Sequence, residues 1–122
     1  MDDEDISFGI KILEHLSILD IGQAVIVERG LVLGIEAIEG TKCLIERILN
    51  FKRTSDAGVL IKMMKKNQST KIDLPTIGIE TIEQCYQSGL SGIAFDHYGT
   101  QVIDPQKVID LANERNIFLK SL

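Results

Sequence analysis

An α/β architecture, a mixed sheet with helices packed on it, is what this 122-residue sequence predicts. Three observations lead there. Short β-branched and aliphatic runs alternate with amphipathic stretches of helical period. Glycine, proline and aspartate stand where those runs should end. The composition, 44% apolar and 25% charged, supplies enough apolar side chain for one buried core, which excludes a disordered chain.

Asp2, Asp3, Glu4 and Asp5 precede an apolar pattern at Ile6, Ile10, Leu13 and Leu16. That predicts a first helix of about four turns, its acids at the positive end of the helix dipole. Ala24–Val27 and Leu31–Ile35, separated at hairpin spacing by Arg29-Gly30, predict two antiparallel strands. Thr41 is the expected cap of a second helix carrying Leu44, Ile45, Ile48 and Leu49. Gly58–Met63 reads as a strand that delivers Lys62 into a basic loop, closed by Asp73-Leu74-Pro75, because Pro75 is excluded from a central strand. A third helix is predicted over Glu80–Ser88 and stopped by Gly89. Gly92–Asp96 and Gln101–Ile103 are expected to pair as another hairpin around Tyr98-Gly99. Asp104-Pro105 makes the N-cap and first residue of a helix reaching Asn116, and Ile117–Leu119 completes the sheet. The predicted order is α-β-β-α-β-α-β-β-α-β, in a single domain over residues 1–122.

The longest uncharged stretch, Gln84–Phe95, is shorter than a bilayer span, and the acidic start is the opposite of a secretory signal; a cytoplasmic location is expected. Cys43 and Cys85 have no partner at metal spacing and read as reduced, buried thiols. His15 reads as a boundary residue of the first helix, and His97, following Asp96, as a residue that can lie near a site.

Charge is distributed unevenly. Between Lys52 and Lys71 six basic residues face Asp56 alone, a net of +5, which leaves −10 for the rest of a chain whose total is −5. Such a segment suits an anion. Neither a Gly-rich nucleotide loop, nor a GxSxG nucleophile, nor zinc-ligand spacing is present. What remains is Lys62, Lys65, Lys66, Gln68 and Lys71 followed by Asp73, Pro75 and Thr76, ammonium groups, an amide and a carboxylate of the kind that handle phosphate. Lysines stabilise charge spreading over phosphoryl oxygens. Asp73 can hold Mg²⁺, accept a proton from an attacking water, or merely cap a turn beside Pro75. Lys62 can equally snorkel from a strand edge, and Gln68 can simply be solvated. Nucleic acid is not the expected partner, because Phe51 is the one aromatic residue near the basic run and no stacking platform results.

Five blocks, in order, resemble a known family: Asp20–Val27 (DIGQAVIV), Glu36–Thr41 (EAIEGT), Gly58–Gln68 (GVLIKMMKKNQ), Ile72–Gly78 (IDLPTIG) and Ser88–Ala94 (SGLSGIA). The chain resembles the C-terminal domain of the UDP-2,3-diacylglucosamine pyrophosphatases of lipid A biosynthesis, of the alphaproteobacterial type, over Asp5–Leu119. The resemblance implies an enzyme that uses Mg²⁺ (or Mn²⁺) and water to cleave UDP-2,3-diacylglucosamine into UMP and 2,3-diacylglucosamine 1-phosphate. It implies Asp73 as the catalytic and metal-binding carboxylate, and Gln23, Thr41, Lys62, Lys65, Gln68 and Thr76 as phosphate or nucleotide contacts. It further implies a lipid substrate met at the cytoplasmic face of the inner membrane by a peripheral protein, and, facing this domain, a missing N-terminal domain or a separate chain supplying it; an exposed docking face would also permit a homodimer. Lys42 stands where the family has an acid, Lys66 where it has proline, and Lys71 where it has arginine. Lys42 in particular favours the alternative expectation, a noncatalytic phosphate or nucleotide-sugar binding module, as a split-gene half or a relic.

Overall fold

The computed structural model describes residues 2–17, 24–53, 57–63, 76–97 and 99–122. In chain order these residues form α1 (Asp2–Ser17), β1 (Ala24–Glu28), β2 (Leu31–Ile35), α2 (Gly40–Ile48) running into a 3₁₀ turn (Leu49–Phe51), β3 (Val59–Lys62), β4 (Thr76–Ile77), α3 (Ile79–Gln87), β5 (Gly92–Phe95), β6 (Gln101–Val102), α4 (Pro105–Arg115) and β7 (Phe118–Ser121). The class is α/β, as predicted.

Alternation along the strands divides the core. Ile26, Leu60 and Ile93 face a cluster built by Leu44, Ile45 and Ile48 of α2, Ile82 and Cys85 of α3, and Val108 and Ala112 of α4. Val25, Val27, Val59, Ile61 and Ala94 face the other way, onto Ile6 and Leu13 of α1. The result is three layers, with one helix on one face of the sheet and three on the other. β1 is buried along its whole length because both its faces are covered.

The main sheet runs β2-β1-β3-β5-β7, with β1 antiparallel to β2 and β3, and β3, β5 and β7 parallel. The second predicted hairpin does not form. β5 pairs with β3 and β7, whereas β6 pairs in parallel with β4 in a separate two-stranded sheet, Thr76 opposite Gln101. The reason is burial: Ile93 and Ala94 are wholly enclosed between two helical layers, so β5 takes a central parallel position, and α4 carries the chain on to β7.

Local chemistry explains the ends of the elements. The first hairpin did form, with positive φ at both Arg29 (48°) and Gly30 (83°), the torsions that match a tight turn to strand twist. Its two N–H groups donate to the buried carboxylate of Asp5, at 2.8 and 2.7 Å, so an acid expected only to favour a helix start also ties α1 to the turn. Gly89, at φ 73°, ends α3 in a Schellman arrangement: Gly89 N–H donates to the Tyr86 carbonyl and Leu90 N–H to that of Cys85. Thr41 is not the cap of α2. Glu39 holds that position without a side-chain capping bond, and Thr41 lies inside the helix with its hydroxyl turned elsewhere. Asp104 does precede Pro105 at the start of α4, although its side chain makes no capping bond.

Of the two thiols, Cys85 is buried and Cys43 is exposed, because Cys43 falls off the Leu44–Ile45–Ile48 stripe of α2. No described helix is long and apolar enough to cross a membrane.

Candidate functional site

The carboxyl ends of parallel strands are where open α/β sheets hold ligands, since the chain there leaves the sheet and frees side chains and backbone groups. In this sheet that edge is formed by the end of β3, the end of β5, and the start of the antiparallel β1: Ala24 is opposite Lys62, and Lys62 is opposite Phe95. Glu36 N–H donates to the Ala24 carbonyl at 2.9 Å, bringing the end of β2 to the same edge, and Asp96 N–H donates to the Lys62 carbonyl at 3.1 Å. The segment from Glu36 into α2 is braced by Arg47, whose guanidinium donates to the Ile35 carbonyl at 2.9 Å and pairs with Glu39 at 2.8 Å.

Lys62 is the centre of this edge. It shares the alternation of Leu60, so its side chain enters the layer of α2 and α3, and it is only 6% exposed. Its Nζ donates to the Thr76 carbonyl at 2.8 Å, which ties the returning strand β4 to the end of β3. Burial pushes the Lys62 ammonium down from its ordinary range, and the negative charge of Glu36 works against that fall. An enclosed cation with hydrogen-bonding capacity beyond one carbonyl is an unusual thing for a fold to keep.

Thr41 stands at the opening of α2, and its hydroxyl donates to Glu36 Oε2 at 2.5 Å. Thr76 reaches the site through its main-chain carbonyl, and its side chain is exposed. Of the residues predicted from the sequence, the structure therefore joins Lys62 to Thr76 and places Thr41 against Glu36, whose charge reaches Lys62. Gln23, Lys65, Gln68 and Asp73 lie outside the described residues. Glu36 itself was missed, although it belongs to the EAIEGT block; the usable signal was an acid five residues ahead of a threonine across a glycine turn. Among the described residues there is no group of three or more His, Cys, Asp or Glu able to hold a metal ion.

Lys52, counted with the basic segment, belongs elsewhere. It pairs with Glu28, at the end of β1, and β1 runs antiparallel to β3, so Glu28 and Lys52 sit at the opposite edge of the sheet from Lys62. The contiguous basic run is thus split by the length of β3.

Cys85, beside this site on α3, is a neutral thiol: burial pushes it up to about 12, with the Lys62 charge pulling weakly the other way. Because its folded value lies above the ordinary 9.0, its contribution to stability is complete below pH 9 and is lost as pH rises towards 12. Lys62 acts with the opposite sign, since its lowered value relieves the cost of burying a cation as alkali removes the proton. Cys85→Ala should therefore lose stability less steeply than the parent protein above pH 9, by a slope difference approaching about 1.4 kcal/mol per pH unit. Urea unfolding at pH 8, 9 and 10 measures it; parallel pH profiles would contradict the assignment.

An apolar groove of about 530 Å³ adjoins the site, its lining including Ile77, Phe95, His97, Val102, Val108 and Leu119.

Comparison with known proteins gives this geometry a context. Residues 1–120 match the family model described as the LpxI C-terminal domain. The chain is also 36% identical, over 121 residues and 94% of its length, to the UDP-2,3-diacylglucosamine pyrophosphatase LpxI of Caulobacter vibrioides. It spans 43% of the length of that relative. From the family model across nearly the whole chain and this degree of identity, we conclude that the chain belongs to the LpxI C-terminal domain family.

Proposed function

We propose that this edge of the sheet forms part of a site that hydrolyses the pyrophosphate of UDP-2,3-diacylglucosamine to UMP and 2,3-diacylglucosamine 1-phosphate, a step of lipid A synthesis. The observation that carries the reading is family membership over residues 1–120, with Lys62 held at the carboxyl edge of β3 inside a matching block. The named relative acts on this diphosphate, and the apolar groove beside the site suits the acyl portion of such a molecule.

In the proposed step a water oxygen attacks one phosphorus of the diphosphate, and the bridging P–O bond breaks with its electron pair going to the leaving phosphate. Lys62 and Lys65 stabilise charge on the phosphoryl oxygens. Asp73 orients the water and takes its proton. Gln23, Gln68, Thr41 and Thr76 contribute contacts to the nucleotide-sugar. Asp73 would hold the Mg²⁺ (or Mn²⁺) that the family resemblance implies, and the ion would supply positive charge to the phosphoryl oxygens; among the described residues there is no group of three or more His, Cys, Asp or Glu able to hold a metal ion. The remaining walls of the site would come from the portion of the Caulobacter relative that this chain does not span, and the lipid would be met at the cytoplasmic face of the inner membrane.

Phosphorus NMR tests the reading. The chain mixed with that remaining portion and Mg²⁺ should convert the diphosphate signals of the substrate into two phosphomonoester signals. No conversion, with or without the added portion, would overturn it. The rival reading, a noncatalytic binding module, draws on the exposed Lys42 next to Thr41, and predicts UMP binding without turnover in the same mixture.

A further inference from the structure

The direction of one hydrogen bond divides the site. A threonine hydroxyl carries a single proton, and that of Thr41 is given to Glu36 Oε2 at 2.5 Å. A carboxylate is the stronger acceptor, so the bond is charge-assisted and the proton is committed. The Thr41 oxygen then shows only lone pairs to anything approaching it. Phosphate oxygens at neutral pH are acceptors as well, and against Thr41 and Glu36 together they meet lone pairs and a like charge. Lys62 has the opposite character: one N–H goes to the Thr76 carbonyl and the remaining protons offer themselves to an acceptor.

We infer that Glu36 is a positioning residue that turns the Thr41 corner into a reader of hydroxyl and N–H donors on the sugar or base portion of the ligand, leaving the phosphates to Lys62. The inference rests on the proposal that this edge holds the substrate, and it narrows the role expected for Thr41, phosphate or nucleotide contact, to donor recognition on the sugar or base. It also gives Glu36 two tasks with one charge, since the same carboxylate supports the enclosed Lys62 cation. Removing that charge without changing the shape of the side chain changes both.

Binding measured by amide chemical-shift titration of the whole chain separates the roles, with UMP, glucosamine 1-phosphate and inorganic diphosphate as probes. Thr41→Val should weaken UMP or glucosamine 1-phosphate by about tenfold, because a recognising group is lost while the ligand donor stays desolvated, and should leave diphosphate within about twofold. Thr41→Ser, which keeps the hydroxyl, should retain the parent preference. Glu36→Gln should shift the preference among the three probes towards diphosphate relative to UMP and glucosamine 1-phosphate, since it lets the Thr41 proton turn outward while any weakening of the Lys62 cation falls on all three. Equal losses for all three probes in Thr41→Val, unchanged binding of all three, or no shift with any probe in the parent chain would each overturn the inference. Failure of the hydrolysis reading has a different signature, because these preferences concern binding and persist without turnover.

Discussion

Lys52→Met should lower the free energy of unfolding by about 3–5 kcal/mol, a large part of what a domain of this size possesses. Lys52 Nζ donates to Glu28 Oε2 at 2.6 Å and also to the Ala57 carbonyl, with side-chain exposures of 6% for Lys52 and 1% for Glu28. The other carboxylate oxygen of Glu28 accepts from Arg53 N–H at 2.8 Å, so the pair locks the chain after the 3₁₀ turn onto the end of β1. Methionine fills similar space and carries no charge, so the enclosed Glu28 carboxylate loses the Lys52 ammonium. The double variant Glu28→Leu/Lys52→Met should recover most of the loss, since apolar side chains of similar volume avoid the desolvation that the pair must offset. Urea unfolding of parent, single and double variants measures both effects. A single variant within 1 kcal/mol of the parent, on the order of an exposed pair, would show that the pair is solvated.

Asp73→Asn should reduce kcat by about 10²- to 10⁴-fold in the reconstituted hydrolysis assay, with a much smaller change in KM. Asparagine keeps the size and one oxygen of aspartate but neither takes a proton from water nor carries the charge a cation would need. The loss falls on the reaction more than on binding, because the lysines of the GVLIKMMKKNQ block continue to hold the diphosphate. Phosphorus NMR time courses at saturating substrate separate the two constants. Parent-like turnover by Asp73→Asn would remove this carboxylate from the proposed mechanism.

The pattern of helices and strands was readable because both periods are local. Ile6, Ile10 and Leu13 announce α1, Val25 and Val27 alternate with Ala24 and Ile26, and Gly89 stops α3 by backbone freedom that no other residue supplies so readily. The family blocks were readable for the same reason, as residues adjacent in the chain. Lys62 and Thr41 could be singled out in that way, whereas Glu36, though it stands in the EAIEGT block, is marked out by where its carboxylate points, at the Thr41 hydroxyl.

By itself, then, the sequence determined an α/β class, its principal helices and strands, its family and the strand end at which Lys62 stands. Only the tertiary structure decided that β5 lies between β3 and β7, that Asp5 holds the first hairpin, and that Lys52 and Lys62 serve opposite edges of one sheet. The physical reason is distance in space. A strand advances about 3.3 Å per residue, so β3 separates the two ends of one charge run, and residues distant in the chain decide that Lys52 is paired with Glu28 while Lys62 donates to the Thr76 carbonyl.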